Sequence, residues 1–412
     1  MGMGNDMDIA INLLLAGIAL AVTVILLKKQ INLGLIMLMD TVFLAVLVRL
    51  PVMTALKYSF NGAVSDSTIK LILILFLIMM IENIMRNSGM IKSMVESLKE
   101  IVGSNRLAAA MMPTMLGLLP SPGGARFSCP MVEEITGDTT EDTNKSFINY
   151  WFRHIWLDAF ILYPGIILAA ELLKVSVISL FLHLVPFMLF TLIIGSIFGL
   201  SKVKKEEIHR TKPVAQSVKI FITGLLPIIV VIIIYISLLN VTGFSLEIAS
   251  GAVMIVLLII KRYSFKKLVQ TVKEAFPLKL VLIIIGVMVF KEVLLESGAI
   301  DGLPAMMHTY GIPVAVLYIL LPFIGAFTSG LTVSYVSLTF PILITLGIGN
   351  NLWFASVAYM AGYIGTMSTP LHLCAVMTAD FFKTPLGSLL KRIAIAEIPL
   401  LVIIISLLFF IS

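Results

Sequence analysis

Apolar runs of bilayer-spanning length recur from one end of the chain to the other, and almost nothing soluble fits between them. A helical span needs about 20 mostly apolar residues. Runs of that kind lie near 8–27, 31–50, 69–86, 147–170, 177–200, 219–238, 246–260, 280–296, 352–378 and 393–411. Two further apolar stretches, 106–131 and 312–341, are each interrupted by small, polar and turn-forming residues. The composition agrees, with 59% of the 412 residues hydrophobic and 13% charged, where a soluble chain carries about 25% charge. The expected fold is all-α: a polytopic membrane protein of about ten transmembrane helices plus two re-entrant hairpins, in a single membrane domain over residues 1–412.

A net charge of +6 could point to nucleic acid, but the basic residues fall in short loops between spans, so no nucleic-acid partner is expected. Placing the stretch "SKVKKEEIHRTKPVAQSVK" in the cytoplasm puts most of the 29 Lys and Arg on that side, as the positive-inside rule requires. Both termini then lie outside a cell membrane that the chain crosses many times. The opening "MGMGNDMDIA" has neither a basic region nor a small-residue cleavage site, so the first span is expected to be retained. Cys129 and Cys374 are far apart in apolar surroundings and suggest no disulfide framework or zinc ligand set.

Sliding the chain over itself by 209 residues aligns Lys70 with Lys279, Leu71 with Leu280, Ser88-Gly89 with Ser297-Gly298, Pro113 with Pro322 and Ser128 with Ser337. Apolar matches arise by chance; a Ser-Gly pair and a proline in one register do not. Residues 1–200 form one repeat with its hairpin near 106–131, residues 201–218 a cytoplasmic linker, and residues 219–412 a second repeat with its hairpin near 312–341. An odd number of crossings in each half inverts the second copy. Inverted repeats with interrupted helices are the build of secondary transporters.

Backbone that leaves the helix within hydrocarbon exposes unpaired polar groups, so it survives only inside protein or along a water-filled cavity. In "LLPSPGGARF" the prolines end one helix and Gly123-Gly124 turn the chain. In "FTSGLTVSYVS" the turn falls at Gly330, with hydroxyls from Thr328, Ser329, Thr332, Ser334 and Ser337. Two spans carry central breakers as well, Pro164-Gly165 in one, and Thr366, Ser368, Thr369, Pro370 and His372 in the other. Each proline is open to a second interpretation as a simple kink. Half-helix N-termini converging at one place favour an anion, and free carbonyls and hydroxyls suit a cation.

The expected substrate site is therefore Ser121, Gly123, Gly124 and Arg126 with Thr328, Ser329, Gly330 and Thr332. Arg126 either supplies charge to this pocket, or snorkels to the cytoplasmic surface or pairs with Glu133 or Glu134. Thr366, Ser368 and Thr369 are expected as pocket or cation ligands. His154 and Asp158, four apart on a helix, suit a proton relay or an interfacial span start, whereas Arg153, Trp151 and Trp156 read as interfacial anchors. Asp40, deep in the second span, either carries protons or caps a buried network. Glu82 and Lys291, paired by the repeat, read as interfacial. No Walker loop, HExxH, GxSxG or dinucleotide-binding motif occurs, so no cofactor is expected beyond Na+ or H+ as a coupling ion. No protein metal site is expected. The partners are a small anionic substrate and the lipid bilayer, with a homodimer left open.

Two five-span halves, each with a hairpin followed by a broken helix, together with "LPSPGGARFSCP" and "TSGLTVSYVSLTFP", resemble the ion-transporter superfamily. That group includes gluconate permeases, divalent anion/sodium symporters and an integral membrane family of unknown function that is the nearest in sequence. The resemblance covers nearly the whole chain and implies uptake of an organic anion, such as a carboxylate, coupled to sodium or protons through an elevator motion. Where the divalent-anion symporters carry Ser-Asn-Thr at their hairpin tips, this chain has Pro-Ser-Pro-Gly-Gly and Thr-Ser-Gly. The rival classes are a membrane-embedded hydrolase or transferase using His154 or His372, and a passive anion channel.

Overall fold

The computed structural model describes residues 26, 31–118, 124–157, 159–208, 210–276, 278–298, 307, 309 and 311–411, with Arg126 described by its backbone alone. The span expected near 8–27 lies outside the described residues, as do Ser121, Gly123 and Asp158. The described residues are helical with no strands. In chain order the helices are α1 (Leu33–Leu47), α2 (Val52–Val64), α3 (Asp66–Asn87), α4 (Met90–Val102), α5 (Asn105–Gly117), α6 (Ala125–Thr136), α7 (Asp142–Arg153), α8 (Pro164–Leu173), α9 (Val177–Phe198), α10 (Val214–Leu238), α11 (Ser245–Ile260), α12 (Phe265–Ala275), α13 (Leu278–Glu296), α14 (Val314–Ser329), α15 (Thr332–Thr345), α16 (Leu352–Ser368), α17 (Leu373–Phe381) and α18 (Leu386–Ile411). Four stretches, Val52–Asn87, Val177–Lys202, Val214–Leu238 and Leu386–Ile411, are long and apolar enough to cross a membrane; five shorter helices are apolar.

Local chemistry sets the helix starts. Ser65, Ser176 and Ser264 each accept a backbone N–H three residues on, and Asn32 and Asn351 accept one two residues on, satisfying donors that a helix start leaves unpaired. Pro164 opens α8 at a position where its missing N–H costs nothing. The basic stretch before α13 is itself a helix, α12, and residues 90–102 form α4; both carry one apolar face, too short to count as spans in a hydropathy reading.

Helix starts recur along the chain. Asn105 and Val314, Pro164 and Leu373, and Val177 and Leu386 each open a helix, and the members of each pair are 209 residues apart. Contacts follow the same register. Helix α5 packs on α6 and α7 as α14 packs on α15 and α16; α6 meets α17 as α15 meets α8; α7 meets α18 as α16 meets α9. Likewise α3 packs on α11 and α12 as α13 packs on α1 and α2. Helices α1 and α13 cross with their backbones in close approach. A methyl group added to Gly34 would sit 2.0 Å from the Leu282 carbonyl oxygen, and one added to Gly286 would sit 2.3 Å from that of Gly34. Small residues let backbones approach this closely.

The two runs expected to carry central breakers, 147–170 and 352–378, are indeed interrupted. The first divides into α7 and α8, and the second into α16 and α17. The 201–218 linker is not a loose connection: α10 begins within it at Val214, and before that Thr211 donates to Glu100 from its N–H at 2.9 Å and its hydroxyl at 2.6 Å. Glu82 and Lys291 are buried rather than interfacial, Glu82 lying 3.3 Å from Arg86 one turn on.

Candidate functional site

The break after α16 has its reason in the sequence, whereas the proline near the other break opens α8 and does not end α7. Helix α7 ends at Arg153, His154 caps it, residues Ile155–Leu157 form one 3-10 turn, and Tyr163 is extended ahead of Pro164. Helix α16 ends at Ser368, and Thr369 is extended ahead of Pro370. A residue before proline is driven out of the helical region in this way. Side chains at the breaks bond main-chain groups there and on neighbouring helices. Thr369 accepts the Leu371 N–H at 3.2 Å and donates its hydroxyl to the Phe327 carbonyl. Trp156 donates to the Thr114 carbonyl at 2.7 Å.

Two tyrosines cross between the breaks. Tyr150 on α7 donates its hydroxyl to the Met367 carbonyl at 3.1 Å, and Tyr359 on α16 donates to the Leu157 carbonyl at 3.1 Å. Each covers a carbonyl that the other helix lost on breaking. Inside hydrocarbon such a group, left alone, would cost several kcal/mol.

The ends of α5 and α14 and the starts of α6 and α15 close on these breaks. At the first, a methyl group on Gly124 would lie 2.0 Å from Arg153 Nη2, and one on Gly117 would lie 1.9 Å from the Arg153 carbonyl oxygen. At the second, Gly330 is left-handed, φ +68°, and a methyl group there would lie 2.9 Å from the Leu371 carbonyl carbon. A methyl group on Gly165 would come within 2.6 Å of the Thr332 side chain. His154 Nε2 and His372 Nε2 face one another at 3.1 Å, with the Tyr150 ring edge-on to both. Breaks and helix ends thus meet in one region.

Helices α6, α8, α15 and α17 begin there and α5, α7, α14 and α16 end there. Each start carries roughly +0.5 and each end roughly −0.5 of a charge, so the macrodipoles nearly cancel. Side chains therefore set the sign. Arg153, 4% exposed, places a full positive charge against the start of α6, and Glu397 of α18, 2% exposed, accepts the Ser368 hydroxyl at the second break.

Of the residues expected from sequence, Gly124, Gly330, Thr332, Ser368, Thr369, His154 and His372 come together here. Thr328 and Ser329 lie at the end of α14 with their hydroxyls donated to the carbonyls of Ile324 and Gly325, at 2.8 and 2.7 Å. Arg126 occupies the first turn of α6. The carboxylates considered as its partners are engaged elsewhere: Glu133 with Lys145 at 2.8 Å and Glu134 with Lys99. Asp40 is buried on α1 beside Ile36 and Met37, on a helix that packs against α13.

Several expectations are corrected. Helix α7 ends at Arg153, so His154 lies beyond it rather than inside a continuous helix, and Asp158 falls outside the described residues. Arg153 is no interfacial anchor, because α7 starts at Asp142 and carries it inward. Trp151 is buried and donates to the Thr191 carbonyl at 2.9 Å, so it is no interfacial anchor; Trp156 is half-buried. Sequence reasoning missed the site roles of Tyr150 and Tyr359, although the 209-residue shift aligns them, and of Glu397, a carboxylate within an otherwise apolar run.

Thr366 offers a direct test. It is 1% exposed and its hydroxyl has no hydrogen-bond partner among the described residues. Thr366→Val keeps the shape and removes the stranded group, so the apparent melting temperature is expected to rise, by about 1 kcal/mol of stability. An unchanged or lower melting temperature would show that the Thr366 hydroxyl is satisfied in the folded protein.

An all-helical chain with several apolar helices and helix breaks sealed inside the protein is a membrane protein. It belongs to the DUF401 family of proteins of unknown function, whose profile matches residues 10–411. No curated protein matches the chain.

Proposed function

We propose that the chain is a secondary active transporter, a symporter that takes up a small organic anion such as a carboxylate down a sodium or proton gradient. The observation that carries this reading is the meeting of the helix ends of both hairpin stretches with two helix breaks around buried Arg153. Helix starts and contacts that recur at 209 residues support two copies of one unit. With about ten crossings and two re-entrant hairpins, five crossings in each half invert the second copy and leave both termini outside. The resemblance to the ion-transporter superfamily points the same way and suggests an elevator-like alternation of access. In this proposal Gly124, Arg153 and Arg126 receive the anion with Ser121, Gly123 and Thr332, while Ser368, Thr369, Thr366 and Glu397 hold the coupling ion or proton.

Reconstitution into proteoliposomes with imposed gradients tests it. Accumulation of a carboxylate above its external concentration, driven by one gradient and saturable, is the expected result. Flux that only equilibrates would indicate a channel, and chemical conversion without a gradient would indicate an enzyme. Either outcome would overturn the proposal.

A further inference from the structure

The two imidazoles that meet between the helix breaks have a third neighbour. Cys374 lies in the first turn of α17, two residues beyond His372, and its Sγ and one ring nitrogen of each histidine lie within 4.8 Å of one another. We propose that His154, His372 and Cys374 form a binding site for a thiophilic divalent ion of the zinc class.

The donor atoms are already oriented. His154 Nδ1 lies 2.5 Å from the Tyr150 carbonyl, and since a carbonyl only accepts, that nitrogen carries the proton. Its Nε2 is left with a lone pair, directed at His372 Nε2. A ring nitrogen fixed by a carbonyl while the other faces the ion is the usual outer support of a metal-binding histidine. Two nitrogens each about 2.0–2.1 Å from a tetrahedral ion sit about 3.4 Å apart, so the observed pair needs to open by only a few tenths of an ångström. The half-buried sulfur must close by about 1 Å to reach a Zn–S distance near 2.3 Å, within reach of a side-chain rotation. Three protein ligands leave the fourth position open to water or a carboxylate.

The surroundings select the kind of ion. The charge of Arg153 reaches both rings, which penalises hard cations held by charge alone. Two imidazoles and a thiolate bond to softer ions, and the thiolate offsets one of their charges. An ion here would tie the break after α7 to the break after α16. The sequence concealed the set because 218 residues separate the two histidines. The proposal does not rest on transport.

The full-length chain, purified with a histidine-free tag, is titrated with Co2+ and followed by absorption. One equivalent with tetrahedral d–d bands and a thiolate-to-cobalt charge-transfer band, displaced by Zn2+, is expected. Cys374→Ser should keep the folded size-exclusion profile and lose the charge-transfer band. His154→Gln and His372→Gln should weaken binding by about tenfold or more, since outer-support changes alone cost about 10–100-fold. Should either histidine variant misfold, the Cys374→Ser spectrum decides. Absence of d–d bands, or a wild-type spectrum in Cys374→Ser, would overturn the site.

Discussion

Arg153→Gln is expected to abolish most gradient-driven uptake while leaving a monodisperse protein. Glutamine keeps a hydrogen-bonding head and removes the charge. Losing one partner of a buried, hydrogen-bonded charge contact costs about 2–5 kcal/mol, and each 1.4 kcal/mol is about tenfold. The anion affinity should therefore fall by roughly 30-fold to several thousand-fold. Gly124→Ala reaches the same arginine from the other side, because the new methyl group would sit 2.0 Å from Nη2 and displace the guanidinium. Both variants should share one phenotype, read as substrate affinity in binding assays and initial uptake rate in vesicles. Arg126→Ala, measured beside them, divides the role between the two arginines. Unchanged affinity in Arg153→Gln would return that residue to a structural part.

Gly286→Leu is expected to produce the largest loss of stability. Where α1 and α13 cross, the contact is backbone on backbone, so no rotamer can relieve an added side chain. Overpacking costs about 1–3 kcal/mol where side chains can shift, and occasionally more; here the helices themselves must part. That would open the cluster of Leu33, Met37, Val287 and Leu338 that seals the crossing. A fall in melting temperature, or loss of the monodisperse peak, checks it. Gly387→Ala is the control. Nothing lies within 4 Å of the added methyl group, and the helical position should gain up to about 1 kcal/mol. Equal stability of the two variants would show that the crossing is not tight.

The helical character and many helix ends were legible in the sequence because hydropathy reports them directly. Val177, Leu352 and the turn at Gly330 fell where expected. Arg153 did not. Polar residues early in α7 disguised the true start of that helix. Asn144 donates to the Gly199 carbonyl at 3.1 Å, Lys145 bonds Glu133, and Asn149 donates to Thr378 at 2.9 Å. Partners supplied from distant segments make such residues buried, yet to a hydropathy window they look like a solvated loop. Once the helix is placed from Asp142, Arg153 moves from a headgroup position to the interior. The meeting of His154 with His372 was invisible for the same reason, since only tertiary packing brings the two breaks together.

The exchanged phenols of Tyr150 and Tyr359 carry a lesson about assembly order. Neither interrupted helix can bury its loose carbonyl until the other half of the chain has arrived, so the first half to emerge from the ribosome must wait, partly wet, for the second. A gene split within residues 201–213 should therefore yield two fragments that are each degraded when made alone and rescued when made together.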